Sequence, residues 1–154
     1  MRCPKPSHAT SADFSSYPRD MKAADYCYGT PDGGRSQYAH PKLISFMSNV
    51  ALRWCAQDVR KFGVGNISLP DGRKGDHATH INGLDMDIRP IRKDGRRLAC
   101  TIHDRQYDHD ATAKLIEILY GTGMVKTILF NDASIRYVRR WPGHDNHLHV
   151  SLKA

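Results

Sequence analysis

Gly143-His144-Asp145-Asn146-His147-Leu148-His149-Val150-Ser151-Leu152 is the stretch whose reading decides this chain. In an extended strand successive side chains point to opposite faces. His147, His149 and Ser151 then share one face, and Leu148, Val150 and Leu152 share the other. The apolar face can rest on a core while two imidazoles point together into a cleft. Paired histidines on one face are poor core material but a ready-made metal site. A second stretch has the same character: Asp76-His77-Ala78-Thr79-His80-Ile81-Asn82-Gly83-Leu84-Asp85-Met86-Asp87-Ile88. Of the nine histidines, His77, His80, His144, His147 and His149 all fall in these two stretches.

Working outward, Leu84, Met86 and Ile88 alternate with Asp85, Asp87 and Arg89, the pattern of a strand with one apolar and one charged face. Lys126 to Phe130 reads as a further strand closed by Asn131-Asp132, and Val64 to Leu69 as another, followed by a Pro70-Asp71-Gly72 turn. Asp94-Gly95 marks a turn or loop. Leu43, Phe46, Met47, Val50 and Trp54 recur at helical spacing behind Pro41, which predicts an amphipathic helix over roughly 41–61, ended by Gly63 and Gly65. A second helix is capped by Asp108 or Asp110 and stopped by Gly121 and Gly123. Its buried side is expected at Ala113, Ile116, Leu119 and Tyr120. Residues 1–40 are rich in Pro, Gly, Ser and Asp; they read as mostly irregular, with a turn at Pro31-Asp32-Gly33-Gly34. The sum is an α+β fold: one small domain over 1–154, with an irregular segment at 1–27, a central mainly antiparallel sheet, flanking helices and a metal cleft.

The 154 residues carry 23 basic and 16 acidic side chains, a net charge of +7. That balance favours polyanionic partners such as nucleic acid, a bacterial envelope or an anionic membrane surface, and does not choose among them. The basic groups at Arg89–Arg97 and Arg136–Arg140 read as solvated surface. His8, His40, His103 and His109 also read as surface residues. No apolar run approaches the roughly 20 residues that a membrane helix needs, so no membrane insertion is expected. No apolar segment follows Met1-Arg2-Cys3, so no signal peptide is visible. Cys3, Cys27, Cys55 and Cys100 contain no CxxC pair, which argues against a zinc ribbon. Two disulfides and free thiols are equally compatible with them.

His80 and Asp87 flank an Asn82-Gly83 turn and a strand, and His149 stands on another strand. Spacing alone does not say which strands pair. Two imidazoles and a carboxylate are nonetheless a donor set that zinc prefers, with a fourth position left for water. The expected ligands are therefore His80, Asp87 and His149. His147, one face-period from His149, can sit beside that water and handle a proton or an oxyanion. No HExxH helix is present, so that peptidase type and its glutamate base are absent. Asp76, Asp85 and Asp145 are candidates to orient imidazoles, and Trp141 to wall the cleft or fill the core.

The strings Gly75-Asp76-His77-Ala78-Thr79-His80, Gly83-Leu84-Asp85-Met86-Asp87-Ile88-Arg89-Pro90 and Gly143-His144-Asp145-Asn146-His147-Leu148-His149-Val150 resemble those of the penicillin-insensitive murein endopeptidases. These belong with the zinc peptidases that group lysostaphin-type enzymes, D-alanyl-D-alanine peptidases and the hedgehog N-domain. Ile128-Leu129-Phe130-Asn131-Asp132 and the Tyr107-to-Ile118 helix are also similar. The resemblance runs from about Tyr28 to Leu152. It departs at Thr79, where the family usually has Ser, and in a chain shorter than typical members. It implies Zn²⁺ held by His80, Asp87 and His149, catalysis by His147, and support from His77 and His144. Asn131 and Asp132 are expected to line the cleft, and Asp85 to be a salt-bridge or supporting residue.

The function implied is a zinc-dependent peptidoglycan endopeptidase. It would cut peptide cross-links of bacterial cell wall, between D-alanine and diaminopimelate, with peptidoglycan rather than nucleic acid as partner. Its expected place of action is the periplasm or wall. It would reach that place as a phage endolysin, a delivered effector or a mature form without its leader. One rival is a metal-dependent nuclease, against which Asp145-Asn146-His147 lies in a strand rather than a strand-to-helix arrangement. The other is a metal-bound binding module without turnover.

Overall fold

The computed structural model of the chain describes residues 14–16, 24–28, 35–72 and 79–154. Its elements are β1 (Ser15–Ser16), β2 (Asp25–Cys27), β3 (Tyr38–Ala39), α1 (Pro41–Cys55), β4 (Phe62–Val64), β5 (Asp85–Ile88), α2 (His109–Tyr120), β6 (Val125–Leu129) and β7 (Leu148–Leu152). Five strands form one open sheet in the order β2-β4-β5-β7-β6, and β1 pairs with β3 apart from it. The β2–β4 pair is parallel and the other pairs are antiparallel. The fold is α+β with a mainly antiparallel, mixed sheet.

Alternation along β5 and β7 sorts the side chains as their sequences require. Met86, Ile88, Leu148, Val150 and Leu152 join Leu43, Phe46, Met47, Trp54, Leu115, Ile116 and Leu119 in one buried cluster that unites the helices with the sheet. Asp85, Asp87 and His149 take the other face, yet they too are buried. The charged face of β5 is thus the floor of a cleft rather than a wetted surface.

Helix α1 starts as its sequence indicates, with Pro41 in the first turn, and His40 is its N-cap. The His40 Nδ1 accepts from the Lys42 amide at 3.0 Å, so this histidine has a structural task beyond the surface role expected. The helix stops at Cys55, six residues before the expected end. The apolar stripe runs out at Trp54, and Asp58 then offers the backbone an alternative by accepting from the Arg60 amide at 2.8 Å. Gly63 and Gly65 are not helix stops. A Cβ on either would come within 2.8 or 2.7 Å of the Tyr28 ring, so they let Tyr28 lie flat on the strand backbone. The strand in this region is accordingly Phe62–Val64 rather than 64–69.

Asp108 caps α2 by accepting from the Ala111 amide at 3.0 Å. The buried side of α2 carries Ala111, Thr112, Leu115, Ile116, Ile118 and Leu119, whereas Tyr120 is exposed and stacks on Tyr137 at 4.2 Å. The expectation of an irregular 1–40 gives way at β1, β2 and β3; β2 is too short to produce a periodic signal. The Pro31-Asp32-Gly33-Gly34 turn lies outside the described residues, as do Cys3, His8, Asp76 and His77. Cys55 and Cys100 are free thiols, which rules out the two-disulfide arrangement. Among the described residues no helix is long and apolar enough to cross a membrane.

Candidate functional site

The register of β5 against β7 builds the site. Asp87 stands opposite His149, and Asp85 opposite Ser151. His80 arrives from the turn that precedes β5, where Gly83 adopts φ +68° and its carbonyl accepts from the His40 amide at 3.1 Å. A Cβ at Gly83 would lie 2.5 Å from the His40 nitrogen, so only glycine allows this turn to seat against the start of α1.

His80, Asp87 and His149 are brought together as a buried group able to hold a metal ion, their nearest donor atoms all within 4.8 Å of one another. His80 Nε2 is 3.4 Å and His149 Nδ1 3.2 Å from Asp87 Oδ1. A tetrahedral ion with bonds of 2.0–2.1 Å separates its ligand atoms by about 3.4 Å, so both distances suit such an ion. The remaining nitrogen of each imidazole is already engaged. His80 Nδ1 lies 2.8 Å from the Ile67 carbonyl, to which it donates, leaving Nε2 facing Asp87. His149 Nε2 lies 3.5 Å from Asp85 Oδ1, and Asp85 also accepts a hydrogen bond from the Ser151 hydroxyl. Asp85 is therefore placed to orient His149.

Electrostatics follow from this packing. Burial opposes ionisation of Asp87, but hydrogen bonds from His149 and His80 outweigh it and hold the carboxyl well below the usual range. Burial also disfavours a charged His149, yet hydrogen bonding to Asp85 and Asp87 raises its pKa to about 9. His147 shifts the other way, because burial lowers its pKa more than Asp87 raises it. His147 Nδ1 donates to Asn146 Oδ1 at 2.7 Å, so the unprotonated Nε2 points inward, 3.9 Å from Asp87 Oδ1. The lowered pKa favours the neutral imidazole, which leaves a lone pair on Nε2 beside the cluster.

The His144 ring sits 4.6 Å from that of His147, with Nδ1 3.1 Å from the Pro142 carbonyl. Asn131 does not reach the imidazoles. It secures the loop that carries His144: its amide nitrogen donates to Asp145 Oδ1 at 2.7 Å, its carbonyl oxygen accepts from the Trp141 amide, and its backbone amide donates to the His144 carbonyl. Asp145 is thereby committed to Asn131 and does not orient an imidazole of the cluster. Asp132 lies away from the cleft, accepting from the Tyr107 hydroxyl at 2.7 Å, because the chain turns outward after β6. His77 and Asp76 lie outside the described residues.

A cavity of about 740 Å³ opens over the cluster, its lining including Trp141, His144, His147, Tyr28 and Arg89. Tyr28, Arg89 and Arg139 escaped the sequence reading, and two basic residues expected to be solvated surface line this cavity instead. Arg89 was within reach of that reading, since it lies two positions after Asp87 and so on the same face. Nothing in the sequence signalled Tyr28 or Arg139.

The family model for penicillin-insensitive murein endopeptidase matches residues 32–120, which include His80 and Asp87. A penicillin-insensitive murein endopeptidase of Yersinia enterocolitica is 24% identical, over 95% of this chain and 64% of that protein. Those of Haemophilus influenzae and Escherichia coli are 26% and 24% identical, covering 75% and 78% of this chain and 51% and 55% of the relatives. The chain thus spans at most about two thirds of the length of these relatives. With more than half of its residues inside the family model, the chain belongs to the penicillin-insensitive murein endopeptidase family.

Proposed function

We propose that this chain is a zinc-dependent peptidoglycan endopeptidase that hydrolyses the peptide cross-links of bacterial cell wall, between D-alanine and diaminopimelate. The observation that carries the reading is the trio His80, Asp87 and His149, spaced 3.2 and 3.4 Å about a shared carboxylate oxygen, with His147 Nε2 held beside it. Two imidazoles and one carboxylate are the ligand set of hydrolytic zinc sites that keep one open position. When bound there, zinc supplies Lewis-acid polarisation of an amide carbonyl and lowers the pKa of water toward about 7.

The chain's own residues do the rest. Asp85 and the Ile67 carbonyl fix the tautomers of His149 and His80. His147 Nε2 takes the proton of the attacking water and returns it to the leaving amine; the lowered pKa keeps it unprotonated at neutral pH. His144 packs beside His147 and limits its freedom. The net charge of +7 favours residence in an anionic wall, in the periplasm or on the cell surface.

Purified sacculi test this. Cross-linked muropeptide dimers are expected to collapse to monomers with new amino groups and no new reducing sugar ends. A chelator stops the reaction and zinc restores it. New reducing ends, activity that survives chelation, or loss of whole stems with dimers intact would each refute the proposal. Plasmid DNA incubated in parallel is expected to stay whole.

A further inference from the structure

One cross-strand row of the sheet runs through the cluster and past it. Asp87 on β5 pairs with His149 on β7, His149 with Leu129 on β6, and Leu129 with Arg139 beyond the sheet's edge. All four residues line the cavity. With strands about 4.8 Å apart, Arg139 lies about 10 Å from His149 along the row. Its backbone is fixed on both sides, the amide donating to the Ile128 carbonyl at 2.9 Å and the carbonyl accepting from Phe130 at 3.0 Å. A second arginine flanks the row: Arg89 lies two residues after Asp87 on the same face, about 7 Å further along the chain and so at right angles to the row.

Arg89 rests on a built shelf. Its guanidinium carbon is 3.9 Å from the centroid of the Tyr28 ring, and that ring lies against the backbone of Gly63 and Gly65. Its Nη1 reaches the Arg97 carbonyl at 3.4 Å. Among the described residues neither Arg89 nor Arg139 forms an ion pair, and the single carboxylate lining the cavity is Asp87, which the histidines occupy. The cleft thus presents two guanidinium groups, Arg89 half-buried and Arg139 exposed, that carry no carboxylate partner among the described residues and can take up anions. Guanidinium forks match carboxylates in a bidentate manner, and stacking on an aromatic ring fixes the fork while leaving its edge free.

We propose that Arg89 and Arg139 bind carboxylates of the substrate, so that the cleft selects an acidic peptide. This rests on the peptidase reading above and adds the selectivity of the same site.

Two measurements test the proposal. The first is calorimetric binding of monomeric muropeptide stems, with carboxyls either free or amidated, to the zinc-loaded chain. The second is hydrolysis of the corresponding dimers. Free-acid stems are expected to bind at least about 10-fold more tightly than amidated ones. Arg139→Gln and Arg89→Gln should each remove most of that difference and raise KM for free-acid dimers. Arg139→Lys, which keeps the charge without the fork, should restore part of it. Zinc content and circular dichroism establish that the variants fold. Equal binding of both stems by the wild-type chain, or discrimination that survives both substitutions, would overturn the proposal. Wild-type chain that discriminates between stems yet cleaves no dimer would refute the peptidase reading and uphold carboxylate selection.

Discussion

Asp85→Ala separates orienting a metal ligand from being one. Asp85 is buried; its Oδ1 lies 3.5 Å from His149 Nε2 and accepts from the Ser151 hydroxyl. Truncation takes the shared carboxylate from the Ser151 hydroxyl and the outer nitrogen of His149, which are left with each other at 3.3 Å. The ring is then free to adopt the tautomer that carries its proton on Nδ1, the atom facing Asp87. Loss of such an orienting carboxylate lowers metal affinity by about 10- to 100-fold, or about 1.4–2.7 kcal/mol. Loss of the buried acceptor costs the metal-free chain roughly 1 kcal/mol in stability, the Ser151–His149 contact offsetting the rest. Affinity is read by competition with a chromophoric chelator at pH 7, and stability by denaturant titration after metal removal. Asp85→Asn, which keeps an acceptor oxygen and loses the charge, should fall between wild type and Asp85→Ala. At saturating zinc both variants should approach wild-type turnover, because Asp85 does not line the cavity. Unchanged zinc affinity in a folded Asp85→Ala chain would refute the reasoning. Loss of turnover at saturating zinc would instead assign Asp85 a part in the chemistry.

His147→Ala should retain zinc and lose about 100-fold or more in kcat on muropeptide dimers; near-normal rates in a zinc-loaded variant would reduce His147 to a structural residue. Zinc uptake by the metal-free chain should release protons at pH 7, because His149 there carries a pKa of about 9. Calorimetry in two buffers of different ionisation enthalpy checks this, and a buffer-independent heat would contradict it. Gly83→Ala should cost at least about 2 kcal/mol, from its left-handed φ and the contact with the His40 nitrogen; a wild-type Tm would be incompatible with the turn described. Acid stability should depend on Arg60, which bonds Asp58 at 2.6 Å and the α2 cap Asp108 at 2.7 Å. Arg60 hydrogen bonds lower the Asp58 pKa; for Asp108, burial is outweighed by bonds from the Ala111 amide and Arg60, and its pKa is lowered too. Their contribution is present above the unfolded value of 3.8 and is lost as pH falls through the folded values. Arg60→Ala should therefore cost about 2 kcal/mol at pH 7 and progressively less below pH 4 in denaturant titrations; a pH-independent difference would contradict it.

The parts of the site legible in the sequence are those governed by strand alternation. Leu84 to Arg89 and His147 to Leu152 announce their two faces, and that puts Asp87 and His149 on polar faces before any pairing is known. Which strands lie side by side is a matter of register, which alternation does not encode; the Asp87–His149 pairing spans 62 positions of sequence. Helix α1 was overextended because periodicity marks where an apolar stripe runs, not where Asp58 draws the backbone away. Gly63 and Gly65 were misread because a glycine that stops a helix and one that admits an aromatic ring look alike in sequence. Asp132 was misplaced because a turn residue beside a site strand can face either way, and here it faces Tyr107. Arg139 was illegible because its place depends on a bridge to Leu129 across the sheet edge.

Strand β7 follows β6 in the chain but lies between β5 and β6 in the sheet. During synthesis, everything up to Leu129 can leave the ribosome while β5 and β6 still lack the strand that joins them. The same five residues that close this gap, Leu148–Leu152, bring His149 to Asp87. Nascent or clipped chains that lack β7 therefore have neither a continuous sheet nor the His80, Asp87 and His149 cluster. The cluster is complete only when β7 occupies its place in the middle of the sheet.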